Sequence, residues 1–215
     1  MEHSLRYVAV EGPIGVGKTT LSRRLAKSLS GKLILEAPEK NPFLDAFYRD
    51  PELYGLPTQL QFLMNRRECL RYMAENLSDS PLWVSDFLYA KDRLFAGLTL
   101  DASQYDLYNS IADELAFDLV VPDLVVYLQA PVEVLYDRIA KRGKLSEQAI
   151  ASNYIERLQR AYTELFYNYT DTPVLIVNAS EIDFASNDGD YGQLLRQIVT
   201  ITAGRHYFNP STELA

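Results

Sequence analysis

A glycine-rich segment near the start of the chain has the residue types needed to hold a string of phosphates. The pattern G-x-x-x-x-G-K-[ST] is matched by Gly12, Pro13, Ile14, Gly15, Val16, Gly17, Lys18 and Thr19, with Thr20 next. Glycines let successive backbone N–H groups face phosphate oxygens, and the start of a following helix adds partial positive charge. Lys18 would serve the β- and γ-phosphates, and the Thr19 hydroxyl would bind Mg²⁺. A strand-like run before the segment and an amphipathic helix after it favour a triphosphate site over a chance turn.

Two carboxylates follow strand-like runs, Glu36 after Lys32–Leu35 and Asp86 after Leu82–Ser85. The carboxyl ends of parallel strands flank the ligand crevice of an open sheet, so both acids should face the phosphate segment. One could accept a hydroxyl proton, and either could help to hold Mg²⁺ directly or through water. The alternative is that they are helix caps or surface acids. The chain contains neither D-x-x-G nor N-K-x-D, so a switch GTPase is excluded.

A cluster of cations interrupts this acidic chain. Arg138, Lys141, Arg142 and Lys144 fall close together, and Gly143 should end the helix that carries the first three. Arg138 and Arg142 are four residues apart and share a helix face. We predict a lid over about 138–148 that places positive charge on a transferring phosphate. The alternative is a solvated helix end, where cations are favoured by the helix dipole.

These residues need a scaffold, and the hydrophobic pattern predicts a three-layer α/β domain. Short apolar runs without strict alternation are typical of parallel strands buried on both faces. We expect a five-stranded parallel sheet, with strands at Tyr7–Val10, Lys32–Leu35, Leu82–Ser85, Leu124–Leu128 and Val174–Val177. Helices are expected between them, at about 18–29, 58–77, 87–97, 101–119, 131–141, 149–168 and 190–203. One domain should span 1–204, followed by a C-terminal tail at 205–215 without clear periodicity.

Composition limits the partners. A formal charge of −8 over 215 residues argues against binding a nucleic-acid polymer, which requires a basic face. Cys69 is the only cysteine, which suits a reducing compartment. We see no signal peptide and no apolar run near the ~20 residues that span a bilayer, so we expect a cytoplasmic protein without a membrane partner.

At this level of detail the sequence resembles the deoxynucleoside kinases, especially their bacterial deoxyadenosine/deoxyguanosine branch. The similarity runs from Tyr7 to about Phe184. It rests on E-G-P-I-G-V-G-K-T-T at 11–20, L-E-A-P-E-K-N-P-F-L at 35–44, Q-L-Q-F-L-M-N-R-R at 59–67, S-D-F-L-Y-A-K-D-R-L-F-A at 85–96, D-L-V-V-Y-L-Q-A at 123–130 and R-G-K-L-S-E-Q at 142–148. The resemblance implies a P-loop kinase fold, ATP as phosphate donor with Mg²⁺, a deoxynucleoside acceptor and a homodimer.

The resemblance also implies roles for individual residues. Asp86 would be the general base near the 5′-hydroxyl, with Glu36 beside it. The acceptor would be bound by Gln59 and Asp92 at the base edge, Arg66 holding Asp92, Phe95 stacked on the base, and Tyr48 and Glu147 at the sugar 3′-hydroxyl. The donor would be bound by the lid cations Arg138, Arg142 and Lys144, and by Asp183 and Phe184 beside the adenine. Spacing agrees in part, because Gln59, Phe62 and Arg66 recur on one helix face.

The chain departs from the family at one position. Relatives usually carry an arginine directly after the catalytic carboxylate, whereas Asp86 is followed by Phe87. Either Arg93, another arginine or the lid supplies that charge, or the transition state is held differently. Lys144 is a milder change, because a point charge stands where many relatives have arginine.

We expect deoxyadenosine as the favoured acceptor, with deoxyguanosine or deoxycytidine as alternatives, because Asp92 and Arg66 suit amino-bearing bases. The nearest rival is a nucleoside monophosphate kinase such as a thymidylate kinase. Its acceptor carries a phosphate, which Glu36 and Asp86 would repel. A rival of another class is a non-catalytic nucleotide-binding protein.

Overall fold

A computed structural model describes residues 5–115, 120–144, 147, 150 and 152–209. Its sheet has six parallel strands in the order β2-β3-β1-β4-β5-β6. The strands are β1 Tyr7–Glu11, β2 Lys32–Ile34, β3 Trp83–Ser85, β4 Leu124–Gln129, β5 Val174–Asn178 and β6 Arg205–Phe208. The three-layer α/β prediction is confirmed, and each of the five predicted strands is present.

The expected count of five strands is wrong, because β6 forms within the segment interpreted as a tail. Its register runs from Arg205 opposite Val174 to Phe208 opposite Val177. The strand is short, lies at the sheet edge and is only partly buried, so it lacks the apolar run by which the other strands were recognised. Backbone pairing with β5, rather than side-chain pattern, accounts for it.

The helices are α1 Lys18–Ser28, α2 Leu44–Arg49, α3 Pro51–Glu75, α4 Lys91–Thr99, α5 Ala102–Leu115, α6 Val132–Arg142, α7 Ser152–Asn168 and α8 Asp188–Thr200. Short 3-10 turns occupy Pro38–Lys40 and Leu77–Asp79. The predicted ranges 101–119 and 149–168 reach into residues outside the described part of the chain.

Two of the predicted helix starts are wrong. The helix predicted from 58 begins at Pro51, where Asp50 caps it by accepting the N–H of Leu53 at 3.2 Å. The helix predicted from 87 begins at Lys91, because Phe87 and Leu88 are buried in the core and the chain turns before the helix can start. The short helix α2 was not predicted.

Alternate residues of the central strands build two apolar layers, as expected for strands covered on both faces. On one face Val8 and Val10 pack with side chains of α1, α6 and α8. On the other face Tyr7 and Ala9 pack with side chains of α3 and α7. Because both layers are filled, polar chemistry is confined to the carboxyl edge of the sheet. None of the helices in the described ranges combines the length and apolarity needed to cross a membrane.

Candidate active site

The phosphate loop follows β1 and opens α1, as the motif requires. Gly12 has a φ of 149°, and a Cβ there would lie 2.3 Å from the carbonyl oxygen of Leu128. Gly17 has a φ of 109°, and its added Cβ would press on the Phe184 ring at 3.0 Å. Both positions therefore require glycine, for backbone conformation and for space. The result is a tight turn that places backbone N–H groups directly before the start of α1.

Lys18 lies curled over this loop. Its Nζ donates to the carbonyl oxygens of Gly12 at 2.7 Å and Pro13 at 3.1 Å. Burial, followed by the nearby charge of Lys91, lowers the pKa of Lys18 to about 8. A phosphate group would be a better partner than these carbonyls, because it would compensate the buried charge.

Asp86 is tied directly to the phosphate loop. The Thr19 hydroxyl donates to its Oδ2 at 2.5 Å, and the backbone N–H of Glu36 donates to its Oδ1 at 2.8 Å. A hydroxyl and a carboxylate are the hard oxygen donors that Mg²⁺ prefers. No cluster of three or more metal-ligating side chains occurs among the described residues. Thr19 and Asp86 would suit a magnesium ion, whose remaining ligands would have to come from nucleotide phosphates and water.

Glu36 lies in a buried network of opposite charges. Its Oε1 accepts from Arg66 Nε at 2.6 Å and lies 2.9 Å from Lys91 Nζ. Arg66 also pairs with Asp92 across the interior. Burial acts to raise the pKa of Glu36, but Arg66 and Lys91 outweigh it and lower the pKa to about 2. The Glu36 carboxylate is therefore ionised at neutral pH.

A third acid, Glu11 at the end of β1, lies beside the same charge network. Its side chain is fully buried. It accepts the N–H of Gly12 and the N–H of Leu88, both at 2.7 Å, and the hydroxyl of Tyr162 at 2.9 Å. Lys91 Nζ lies 3.6 Å from the same carboxylate. Glu11 thus fixes the start of the phosphate loop relative to the turn that precedes α4.

A cavity of about 360 Å³ opens beside these groups. Most of the predicted site residues line it, namely Ile14, Gly15, Lys18, Thr19, Glu36, Tyr48, Gln59, Phe62, Asp86, Phe95, Arg142, Lys144 and Glu147. Other predicted residues do not line it, namely Gly12, Pro13, Val16, Gly17, Thr20, Arg66, Asp92, Arg138, Asp183 and Phe184. Arg66 and Asp92 are buried and paired behind the wall.

One part of the cavity wall is aromatic and carries a single polar amide. Phe62 and Phe95 line the cavity, and the Arg66 guanidinium carbon lies 4.9 Å from the Phe62 ring centroid. Gln59 lines it too, although the residue as a whole is 2% exposed. An amide beside aromatic side chains suits this wall to a flat polar ligand.

The lid cations differ in placement. Arg142 donates through Nε and a terminal nitrogen to Glu147 Oε2, at 3.0 and 2.6 Å, and Lys144 also faces the cavity. Arg138 instead donates to the carbonyl oxygens of Val16 at 3.0 Å and Ala179 at 2.8 Å. It therefore braces the phosphate loop. Residues 145, 146 and 148 of the predicted lid lie outside the described residues.

Tyr48 faces the same end of the cavity. Burial, reinforced by the negative charge of Glu147, raises the pKa of the Tyr48 hydroxyl. The hydroxyl therefore stays protonated and available as a hydrogen-bond donor. Tyr48 and Glu147, predicted to share a sugar hydroxyl, are brought together in the cavity wall.

The segment predicted to border the donor adenine packs on the outer side of the phosphate loop. Phe184 is buried against Gly17, and the Asp183 carboxylate accepts the N–H groups of Ala185 and Ser186 at 3.1 and 2.9 Å. Arg24 of α1 donates to the carbonyl oxygens of Phe184 and Ala185 at 3.0 and 3.1 Å. Arg24 was not predicted as a site residue.

Glu11 and Lys91 were also missed. For Glu11 a signal was present, because an acid that ends a strand buried on both faces needs partners. Lys91 could not be recognised, because its acidic neighbours come from β1 and from the segment after β2.

Comparison with known proteins identifies the relatives of this chain. Residues 8–203 match the family described as deoxynucleoside kinase. The deoxyguanosine kinase of Bacillus subtilis is 31% identical over 197 residues, which cover 89% of this chain and 95% of that protein. The deoxyadenosine kinase of Lactobacillus acidophilus is 27% identical over 208 residues, covering 90% of this chain and 95% of that one.

Solved structures support the fold. A deoxyadenosine kinase from M. mycoides with dCMP and dCDP bound is similar, with a TM-score of 0.79 at 24% identity, covering 91% of this chain and 100% of that chain. The family match over residues 8–203 and the 31% identical relative confirm the resemblance stated from the sequence. The chain therefore belongs to the deoxynucleoside kinase family and is an enzyme that phosphorylates deoxynucleosides.

Proposed function

We propose that the enzyme transfers the γ-phosphoryl group of Mg·ATP to the 5′-hydroxyl of deoxyadenosine, with deoxyguanosine and deoxycytidine as weaker acceptors. The observation that carries this proposal is that the Gln59 amide lines the cavity together with the aromatic side chains of Phe62 and Phe95. An amide presents one acceptor and two donors, and it pairs in bidentate fashion with the amino and ring-nitrogen edge of adenine. Phe62 and Phe95 supply flat apolar surface for the base. Relatives named as deoxyadenosine, deoxyguanosine and deoxyadenosine/deoxycytidine kinases support this range of acceptors.

The two cavity carboxylates divide the chemistry between them. Asp86 has both oxygens engaged, one by the Thr19 hydroxyl, which favours it as the acid beside the metal. Glu36 lines the cavity and makes its contacts with Arg66 and Lys91 through Oε1, which favours its other carboxylate oxygen as the proton acceptor. This assignment differs from the sequence-based preference for Asp86 as base. Bound Mg²⁺ would neutralise charge on the β- and γ-phosphates.

In the transfer itself, the 5′-oxygen forms a bond to the γ-phosphorus as the bond to the β-phosphate oxygen breaks. ADP leaves, and the hydroxyl proton passes to the Glu36 carboxylate. Lys18 neutralises charge on the phosphates, and Arg142 and Lys144 are the lid cations that face the cavity. The work of the protein is therefore positioning and charge stabilisation.

Two variants separate the roles of the acids. We expect Asp86→Asn and Glu36→Gln each to lower turnover by about 10²–10⁴-fold with ATP affinity nearly intact. Only Asp86→Asn should raise the Mg²⁺ concentration needed for half-maximal turnover. A raised magnesium requirement in Glu36→Gln alone would reverse the assignment, and small equal effects on turnover and ATP binding would contradict both roles.

An acceptor panel with radiolabelled ATP tests the substrate. Deoxyadenosine should give the highest kcat/KM and thymidine the lowest, and dAMP and dTMP should not be phosphorylated. Gln59→Leu should remove most of the discrimination between bases. Gln61→Leu is the matched control on the same helix, because the Gln61 amide bonds to Asn65 at 2.8 Å. Thymidine turnover equal to that of deoxyadenosine in the parent enzyme would refute the assignment.

We also retain two expectations as proposals, a homodimeric assembly and a cytoplasmic location. The first comes from the family resemblance, and the second from the lone Cys69. Light scattering at micromolar concentration should give twice the mass of 24.5 kDa, and a monomer there would contradict the first. Fractionation of cells that express the protein tests the second.

A further inference from the structure

The residue after Asp86 cannot carry the charge that relatives place there. Phe87 is fully buried in the apolar layer between the sheet and helices α3 and α7. Arg93 is turned away, because it pairs with Asp113 of α5 and is half exposed. Arg138 is bonded to backbone carbonyls. Apart from the phosphate-loop lysine and the lid cations Arg142 and Lys144, the cation left in the described cavity wall on the acceptor side, beside the carboxylates, is Lys91.

Lys91 occupies that side. Its Nζ lies 2.9 Å from Glu36 Oε1 and 3.6 Å from Glu11 Oε2, and its side chain is 2% exposed. Lys91 also belongs to the cavity wall, with Lys18, Asp86 and Phe95. A single ammonium therefore links the end of β1 to the carboxylate that faces the acceptor.

This placement is unfavourable for stability alone. Lys91 is the first residue of α4, where the helix dipole disfavours a cation. A buried ion pair generally does no better than an apolar pair of the same volume, because both charges lose their hydration. Such a local cost is expected where a residue serves the reaction.

We propose that Lys91 is a positioning residue for phosphoryl transfer, which holds the Glu36 carboxylate against the cavity and adds a fixed positive charge opposite Lys18. The inference holds whether Glu36 or Asp86 receives the proton, so it stands or falls separately from that assignment. Its contribution appears only when the acceptor oxygen and the phosphate approach each other, since charge then develops beside a cation that is already in place.

The test compares three variants of the full chain. Lys91→Met should lower kcat at least about 100-fold, while the Kd of ATP and the KM of the deoxynucleoside change less than about threefold. Lys91→Arg keeps the charge and should remain within about tenfold of the parent. Arg93→Met removes a half-exposed cation from the same helix and should leave kcat within about twofold.

Three results would overturn the proposal. One is a folded Lys91→Met enzyme within about fivefold of the parent in kcat, which would make the charge dispensable. Another is a loss of kcat matched by an equal loss of affinity for both substrates, which is the signature of a purely structural role. If Lys91→Met does not fold, Lys91→Arg decides. Near-parental turnover then supports the role of the charge, and a folded, substrate-binding Lys91→Arg enzyme about 100-fold slower than the parent refutes it.

Discussion

The active site uses cations in two different ways. Arg66 and Lys91 are 3% and 2% exposed, and acids contact them on several sides. Arg142 at the lid is 40% exposed and has one described acidic partner, Glu147. Removing a buried cation leaves carboxylates uncompensated in the interior, whereas the exposed Arg142 guanidinium is already partly hydrated, so its pair with Glu147 stabilises less. The two sides therefore differ in how strongly the fold depends on their cations.

The largest effect is expected when a cation is removed from the buried charge network. Arg66→Met should lower the free energy of unfolding by about 3–5 kcal/mol, because Asp92 loses its cation and Glu36 loses one of its two cations. Urea titration measures it. Arg67→Met is the matched control, since Arg67 makes one bond to the carbonyl oxygen of Leu115 at 3.1 Å.

The difference in the free energy of unfolding between the parent enzyme and Arg66→Met should depend on pH. The pKa of Glu36 is about 2 in the folded protein against 4.5 ordinarily, so its ion pairs stabilise the fold above pH 4.5 and lose that effect as pH falls towards 2. The difference in the free energy of unfolding between the parent and Arg66→Met should become smaller below pH 4.5. A constant difference down to pH 3 would show that Glu36 is not the group involved.

An intermediate effect is expected for Lys18, which lies between the two regions. The free enzyme should lose the Lys18 proton above its pKa of about 8, whereas bound phosphates retain it. ATP affinity should therefore fall by up to about tenfold per pH unit above pH 8. Calorimetry should also show proton uptake on binding at pH 8.5. Lys18→Met should bind weakly at every pH, without this slope.

The smallest effect is expected at the lid. Arg142→Met should change the free energy of unfolding by less than about 1 kcal/mol, because the Arg142 side chain is 40% exposed and already hydrated. Turnover should nevertheless fall, since the guanidinium faces the cavity. Destabilisation comparable to that of Arg66→Met would remove the distinction between the two regions.

The same contrast explains what the sequence revealed. The phosphate loop and the lid are contiguous stretches, so spacing alone identified Lys18, Thr19 and Arg142. Glu36 and Asp86 followed from one rule about the carboxyl ends of parallel strands. The network of Glu11 with Lys91 escaped because its members are 80 residues apart in sequence and meet only in the folded chain.

Element prediction failed for similar reasons. Continuous apolar runs identified five strands, including the edge strand β2, whereas β6 depends on pairing with β5. The start of α4 was misplaced because Phe87 and Leu88 fit a helical pattern in the sequence, but both side chains are buried in the core before the helix begins. Tertiary contacts, which single-sequence patterns do not contain, decide both cases.

Strand β6 bears on where the chain can be cut. It covers the outer backbone edge of β5, four of whose residues, Val174 to Val177, have buried side chains. Shortening the chain after Gly204, at the domain boundary that the sequence suggested, would expose unpaired amides along an aliphatic strand, which is a template for intermolecular pairing. The consequence would be felt in solubility during expression, while the catalytic cavity at the opposite half of the sheet kept all of its groups.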